Sequence, residues 1–150
     1  MKLSRKGEYA LRAMLYLALN YRGDPVRIHD IAKTENIPVK FLEQILLELK
    51  KAGLLKSRRG AGGGYSLIKP PGEINLAQVI RIIDGPLAPL PCVSEWAYVS
   101  CPEEKNCGLY SVMREVRNAI AHILEAVTFE DVCRKTKTPL KKKINSARRK

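Results

Sequence analysis

The most constraining feature of this sequence is a pair of short helices joined by a tight turn, within residues 28–53. In the first helix, Ile28 and Ile31 form a short apolar stripe. The turn falls at Asn36-Ile37-Pro38, because proline fits the first turn of a helix and the residue before it disfavours helical angles. The pattern predicts a helix-turn-helix. Its second helix has one apolar face at helical spacing, formed by Leu42, Ile45, Leu46 and Leu49.

A basic, glycine-rich hairpin is predicted directly after the second helix. Gly53 ends that helix, and strand-like residues 54–59 and 65–68 flank a run with four glycines. Glycine permits positive φ and close approach of the backbone, and arginine is favoured in a narrow DNA groove. The glycines alone also suit an ordinary hairpin, whereas a P-loop is disfavoured because Tyr65 and a strand follow them. The helix-turn-helix and the basic hairpin together predict a DNA-binding winged helix.

Six polar residues of this region are the candidate DNA contacts. Gln44 can pair with adenine in the major groove, and Glu43 can accept from the cytosine amino group. Arg59 lies at the tip of the hairpin and is the strongest candidate in the wing. A solvated helix face is the alternative for the helix residues. Lys40 can reach a phosphate or a guanine edge. The remaining candidates, which can contact phosphates without specifying sequence, are Lys56 and Arg58.

Four short motifs of this sequence match a known pattern. They are Gly7-Glu8-Tyr9-Ala10, Leu42-Glu43-Gln44, Ala52-Gly53-Leu54 and Arg59-Gly60-Ala61-Gly62-Gly63-Gly64-Tyr65-Ser66-Leu67. Together they resemble the signature of the winged-helix regulators of the IscR and NsrR type, and the resemblance covers roughly residues 1–133. It implies a homodimeric bacterial transcription regulator and, in many members, an iron-sulphur cluster that reports on iron, oxygen, nitric oxide or redox state.

The predicted fold is mainly α with a small β-wing: a winged helix-turn-helix domain plus a long dimerisation helix. A first helix is expected over residues 2–21, and another ends at Asp84. The predicted divisions are a DNA-binding domain at 1–85, a cysteine-containing loop at 86–107, a dimerisation helix with a short terminal helix at 108–133, and a basic tail, expected to be disordered, at 134–150.

The long helix, residues 108–127, has apolar residues at alternating spacings of four and three, as in a coiled coil. These residues are Leu109, Met113, Val116, Ile120, Ile123 and Val127. A core helix of the same subunit is the alternative. Pairing with a second copy is favoured, and a two-fold dimer would read a palindromic double-stranded DNA site in successive major grooves.

The net charge of +12 is concentrated near the end of the chain. Residues 134–150 hold nine lysines or arginines and no acid, which leaves 18 basic and 15 acidic residues in 1–133. The DNA prediction therefore depends on local placement of charge. The tail is expected to be a solvated end, with a DNA-gripping arm as the alternative.

The N-terminal segment has basic residues before an apolar run, as a signal peptide does. Glu8 and Arg12 break that pattern, and no small-x-small cleavage site follows. No segment approaches the ~18 apolar residues that span a membrane. We therefore expect a cytoplasmic protein without a membrane partner. Its four cysteines are then expected to be reduced, metal-bound or redox-active.

Three cysteines, Cys92, Cys101 and Cys107, lie in the proline-rich loop at 86–107. Thiolates are soft ligands for zinc or iron-sulphur sites, and the paired C-x-x-C motifs of structural zinc are missing. Taken without the resemblance, these residues favour free thiols. The resemblance implies that they bind a [2Fe-2S] or [4Fe-4S] cluster, with a thiol switch or a zinc site as alternatives. A cysteine-dependent enzyme is a remote alternative, since no histidine lies near a cysteine in the sequence.

The fourth cluster ligand is inferred only from the resemblance. One branch of the family has a histidine three residues after the last cysteine, where Tyr110 stands here. Another branch uses an acidic side chain near the start of the partner subunit's first helix, and Glu8 matches that position. His122 and Cys133 are rivals, although His122 lies about four helical turns, or ~20 Å, beyond the last loop cysteine.

Overall fold

The computed structural model describes residues 2–136. Within them the chain forms six α-helices, one two-stranded antiparallel sheet and three short 3-10 turns, which confirms the prediction of a mainly α fold with a small β-wing. The helices are α1 (Arg5–Leu19), α2 (Ile28–Glu35), α3 (Val39–Lys51), α4 (Leu76–Asp84), α5 (Gly108–Ala126) and α6 (Phe129–Lys135), and the strands are β1 (Leu55–Arg58) and β2 (Gly64–Leu67).

The tight turn between α2 and α3 forms where the sequence predicts it. Asn36 ends α2 in the left-handed conformation, with φ of 52°, and Pro38 is the residue before the first turn of α3. The four apolar residues predicted to share one face of α3 have no exposed surface. They pack in one cluster with Met14 and Tyr16 of α1 and with Leu55 of β1. The helix-turn-helix is therefore fixed by the burial of one face of α3.

The start of α1 is fixed by a residue from the end of α4. The hydroxyl of Ser4 accepts a hydrogen bond from the Gly7 N–H at 2.9 Å. The Ser4 N–H donates to Asp84 Oδ2 at 2.9 Å, and its hydroxyl donates to Asp84 Oδ1. Because Ser4 caps it, α1 begins at Arg5, three residues later than predicted, and it ends at Leu19.

The wing is a hairpin that gains a third backbone segment at its edge. Its strands pair in antiparallel register from Leu55↔Leu67 to Arg58↔Gly64. Val26 forms a single bridge, in which its N–H and C=O both bond to Tyr65 at 2.8 Å. A Cβ on Gly64, whose φ is 153°, would lie 2.3 Å from the Val26 carbonyl oxygen. This close approach is what requires glycine at position 64.

The two C-terminal helices pack on different parts of the winged helix. α5 contacts α4 through Ile120, Ala121 and Leu124, and it contains no fully buried residue. α6 instead places Phe129, 1% exposed, in the core beside α1. Although the sequence prediction grouped α6 with the long helix, its packing makes it part of the winged-helix core.

The structure describes only the start of the predicted basic tail. Arg134 and Lys135, assigned to the basic tail, form the last turn of α6. Residues 137–150 of the predicted tail lie outside the described residues. Among residues 2–136, no helix combines the length and the apolar character that crossing a membrane requires.

We expect Gly64→Ala to destabilise the protein by roughly 1–3 kcal/mol, because the methyl group would overlap the Val26 backbone. Urea unfolding followed by circular dichroism would measure the change. Gly108→Ala is the matched control, since a Cβ there meets no atom within 4 Å. Equal stabilities for the two variants would contradict the role assigned to the Val26 bridge.

Candidate nucleic-acid interface and cysteine loop

The outward face of α3 carries the three predicted helix contacts. Lys40, Glu43 and Gln44 are all exposed. Among residues 2–136, none of these side chains forms a hydrogen bond or an ion pair with the protein. Their amide, carboxylate and ammonium groups are therefore free to meet the edges of DNA bases and the phosphates.

A side-chain hydrogen bond joins the wing to the end of α3. Lys50 Nζ donates to Ser57 Oγ at 2.6 Å, which turns the Ser57 side of β1 towards α3. Because side chains alternate along a strand, Lys56 and Arg58 lie on the other side of β1. There they border an open groove of about 470 Å³. Arg59, exposed in the loop after β1, is at the tip as predicted.

The structure thus separates the three basic residues of the wing into two groups. Arg59 is at the tip of the wing, where its side chain is exposed. Lys56 and Arg58 point away from α3, towards the turn that contains Tyr21 and Pro25. They suit contacts to the phosphates outside the wing.

The cysteine loop is irregular apart from two 3-10 turns. Cys92 lies in the turn Pro91–Val93, Cys101 precedes the turn Glu104–Asn106, and Cys107 is the residue before the first turn of α5. All three are half-buried free thiols. The loop therefore keeps its cysteines unpaired and partly accessible.

A ready-made set of metal ligands is not found within residues 2–136, where no three His, Cys, Asp or Glu side chains converge. The Glu8 carboxylate forms an ion pair with Arg12 of the same helix, at 2.7 Å. Of the rival ligands, His122 is exposed, and Cys133 packs at the edge of the core. The described part of a single chain thus does not bring the predicted cluster ligands together.

Two arginines attach the cysteine loop to the helices behind it. The guanidinium of Arg81, in α4, stacks 5.2 Å from the ring centroid of Trp96 and pairs with Glu125 of α5 at 2.5 Å. Arg117 of α5 pairs with Glu95 at 2.6 Å and is 13% exposed. We call these contacts the loop clamp. Sequence reasoning missed it, because nothing local shows that residues 95 and 96 fold back onto α4 and α5.

A second contact orders the other half of the loop. The Tyr98 hydroxyl donates to Glu104 Oε2 at 2.7 Å. This hydrogen bond lowers the pKa of Glu104 and raises the pKa of Tyr98. The contact spans Cys101, so it limits the conformations open to the chain around that thiol.

Known proteins resemble this chain in both sequence and structure. The profile of the Rrf2 family, described as an iron-dependent transcriptional regulator, matches residues 3–135. An Rrf2-like HTH-type transcriptional regulator of Rhodobacter capsulatus is 41% identical over 136 residues, which cover 87% of this chain and 91% of the relative.

Two solved structures have the same fold. CymR, the global cysteine regulator of B. subtilis, superposes with a TM-score of 0.76 at 34% identity, covering 91% of this chain and 98% of CymR. T. potens IscR gives a TM-score of 0.71 at 32% identity, covering 90% and 88%. These relatives are transcriptional regulators, which confirms the prediction that the chain is not a cysteine-dependent enzyme. The chain therefore belongs to the Rrf2 family of winged-helix, DNA-binding transcriptional regulators.

Proposed function

We propose that this regulator binds a palindromic operator as a homodimer, through α3 and the wing, and that the state of the cysteine loop adjusts its affinity for DNA. The observation that carries the DNA part is the unpaired polar face of α3 beside the exposed Arg59. A helix about 12 Å wide fits the major groove. Gln44 and Glu43 then read base edges, and Arg59 enters the adjacent minor groove.

We expect Gln44→Ala and Arg59→Ala each to weaken binding to the preferred duplex by about 1–3 kcal/mol. The probe is the duplex that the wild-type protein enriches from a random-sequence pool, and the measurement is fluorescence anisotropy. The loss should be smaller on a mixed-sequence duplex for Gln44→Ala, since base contacts carry the specificity.

Arg114→Ala is the matched control, because it removes an exposed cation from α5 instead of from α3, the wing or the cysteine loop. Its affinity should equal that of the wild type. Unchanged binding of both Gln44→Ala and Arg59→Ala would remove the assignment of these two contacts.

The dimer part of the proposal depends on the uncovered apolar stripe of α5. Leu109, Val112, Val116 and Ile123 are between 39% and 63% exposed and follow spacings of three, four and seven. The predicted seam differs from this stripe in two residues. Ile120, which was predicted to belong to the seam, packs on α4, and Val112, which was not, is exposed. A second copy of α5 is the partner that such a repeat fits.

We expect the double variant Val116→Glu and Ile123→Glu to be monomeric at concentrations where the wild type is dimeric, because a carboxylate buried in an apolar seam has no partner. Sedimentation equilibrium measures the mass directly. Asn118→Glu is the control, since Asn118 is exposed on the other side of α5. A dimeric double variant would place the interface elsewhere.

For the sensing part, the first candidate is an iron-sulphur cluster bound by Cys92, Cys101 and Cys107, with Glu8 of the partner subunit as the fourth ligand. Three thiolates in one irregular loop support it, because they are soft ligands for iron. The family is described as iron-dependent, and one structural relative is an IscR. Within residues 2–136 of one chain these ligands do not converge, so the proposed site includes the partner subunit.

The second candidate uses the same cysteines without a cluster, as a thiol switch or a zinc site. It is supported by loop thiols that are half-buried and form no disulfide within residues 2–136. Another structural relative is described as a cysteine regulator. In either case the loop clamp provides the connection to DNA binding, because Arg81 belongs to α4, which packs on both α1 and α3.

Protein isolated without oxygen is expected to contain iron and acid-labile sulphide and to be coloured. Replacing the three loop cysteines with serine should abolish both. Cys133→Ser is the control and should leave them unchanged, because Cys133 packs at the edge of the core.

Colourless protein with four titratable thiols per chain would instead support the thiol switch, and bound zinc without iron would support the zinc site. Either outcome leaves the DNA-binding assignment intact, because α3 and the wing contain no cysteine.

A further inference from the structure

Three consecutive polar residues, Ser4, Arg5 and Lys6, lie at the start of α1, and they differ in their partners. Ser4 is bonded to Asp84. Lys6 Nζ pairs with Glu48 Oε1 of α3 at 2.5 Å. Arg5 is exposed, and within residues 2–136 it forms no ion pair. Of the two cations, Arg5 is therefore the one without an ion pair within residues 2–136.

The guanidinium of Arg5 is nevertheless held in place. It lies 5.9 Å from the ring centroid of Tyr9, one helical turn further along α1. Arg5 also borders an open groove with two carboxylates, Glu8 and Asp84. These carboxylates already have partners, Arg12 and Ser4 respectively. The stacked cation therefore keeps its hydrogen-bond donors available.

Two side-chain contacts place the start of α1 beside α3. Tyr9 packs edge-on against Phe41 of α3, with ring centroids 5.7 Å apart and planes at 86°. One turn back along α1, Lys6 reaches Glu48. The first turns of α1 thus run along the flank of α3 that carries Phe41 and Glu48.

That flank borders the outward face of α3. Gln44 comes three residues after Phe41 and four before Glu48, so the three are neighbours on the helix surface. Phe41 and Glu48 contact α1, while Gln44 is exposed. Arg5, stacked on Tyr9, is therefore next to the edge of the surface that would face the major groove.

We propose that Arg5 binds a backbone phosphate of double-stranded DNA at the rim of the groove that α3 enters. This inference rests on the proposed mode of DNA binding by α3. Phosphates line both rims of the major groove, and a planar guanidinium stacked on an aromatic ring presents its donors to them in a fixed direction. Arg5 would thus fix the register of α3 without reading sequence.

The test compares Arg5→Ala with the wild type on two duplexes. One is the duplex enriched from a random-sequence pool, and the other is a mixed-sequence duplex of ~40 base pairs, several times the length of a half-site. Affinity should fall by about tenfold on both, because a phosphate contact is independent of sequence. The slope of log K against log salt should become shallower by about 0.9 for each subunit bound.

Arg114→Ala is the matched control: it removes an exposed arginine that is likewise stacked on a tyrosine, 5.8 Å from the ring centroid of Tyr110, but from α5 instead of α1. Its affinity and salt slope should equal those of the wild type. Arg5→Lys should restore the slope, because the charge returns. Thermal unfolding by circular dichroism would confirm that all three variants fold.

An Arg5→Ala variant with the wild-type affinity and slope would overturn the inference, as would an Arg5→Lys variant that does not recover the slope. Both results presuppose that the wild type binds DNA. If the wild type binds neither duplex, the mode of binding proposed for α3 fails instead, and the two failures are thereby distinguished.

Discussion

The burial of one face of α3 is the constraint on which the rest of this structure depends. Its four apolar residues have no exposed surface and are covered by α1, α4 and the wing. Because that face is fixed, the side chains of Lys40, Glu43 and Gln44 must point outward. Leu55 and Leu67 are buried in the same cluster, so the hairpin that follows them projects beside α3. The outward face of α3 and the wing are thus supported by the same core.

The parts of the fold that could be predicted are those whose signals are local. The spacing of apolar residues in α3, the proline at its start and the glycine run of the wing each specify their own conformation. The start of α1 is marked by a local cap, Ser4, which the sequence prediction missed, whereas the bond from Ser4 to Asp84, 80 residues away, has no local signal. The stripe on α5 was predicted in part, since its periodicity does not show which side α4 covers.

The candidate site divides in the same way. Gln44 and Arg59 were predicted from sequence and are exposed as expected, because amphipathic helices and hairpin tips present their polar residues to solvent. Arg81 and Arg117 were not predicted, since their partners, Trp96 and Glu95, lie across the fold. These arginines make the cysteine loop continuous with α4 and hence with the core behind α3.

The loop clamp has a spectroscopic consequence. Trp96 is the single tryptophan of the 150-residue sequence, so intrinsic indole fluorescence comes from this loop alone. Its ring lies over the Arg81 guanidinium and is 73% exposed, which makes its emission sensitive to any release from that cation. The protein therefore carries a native optical label on its cysteine loop, and no dye is needed to follow that segment while DNA or oxidant is titrated.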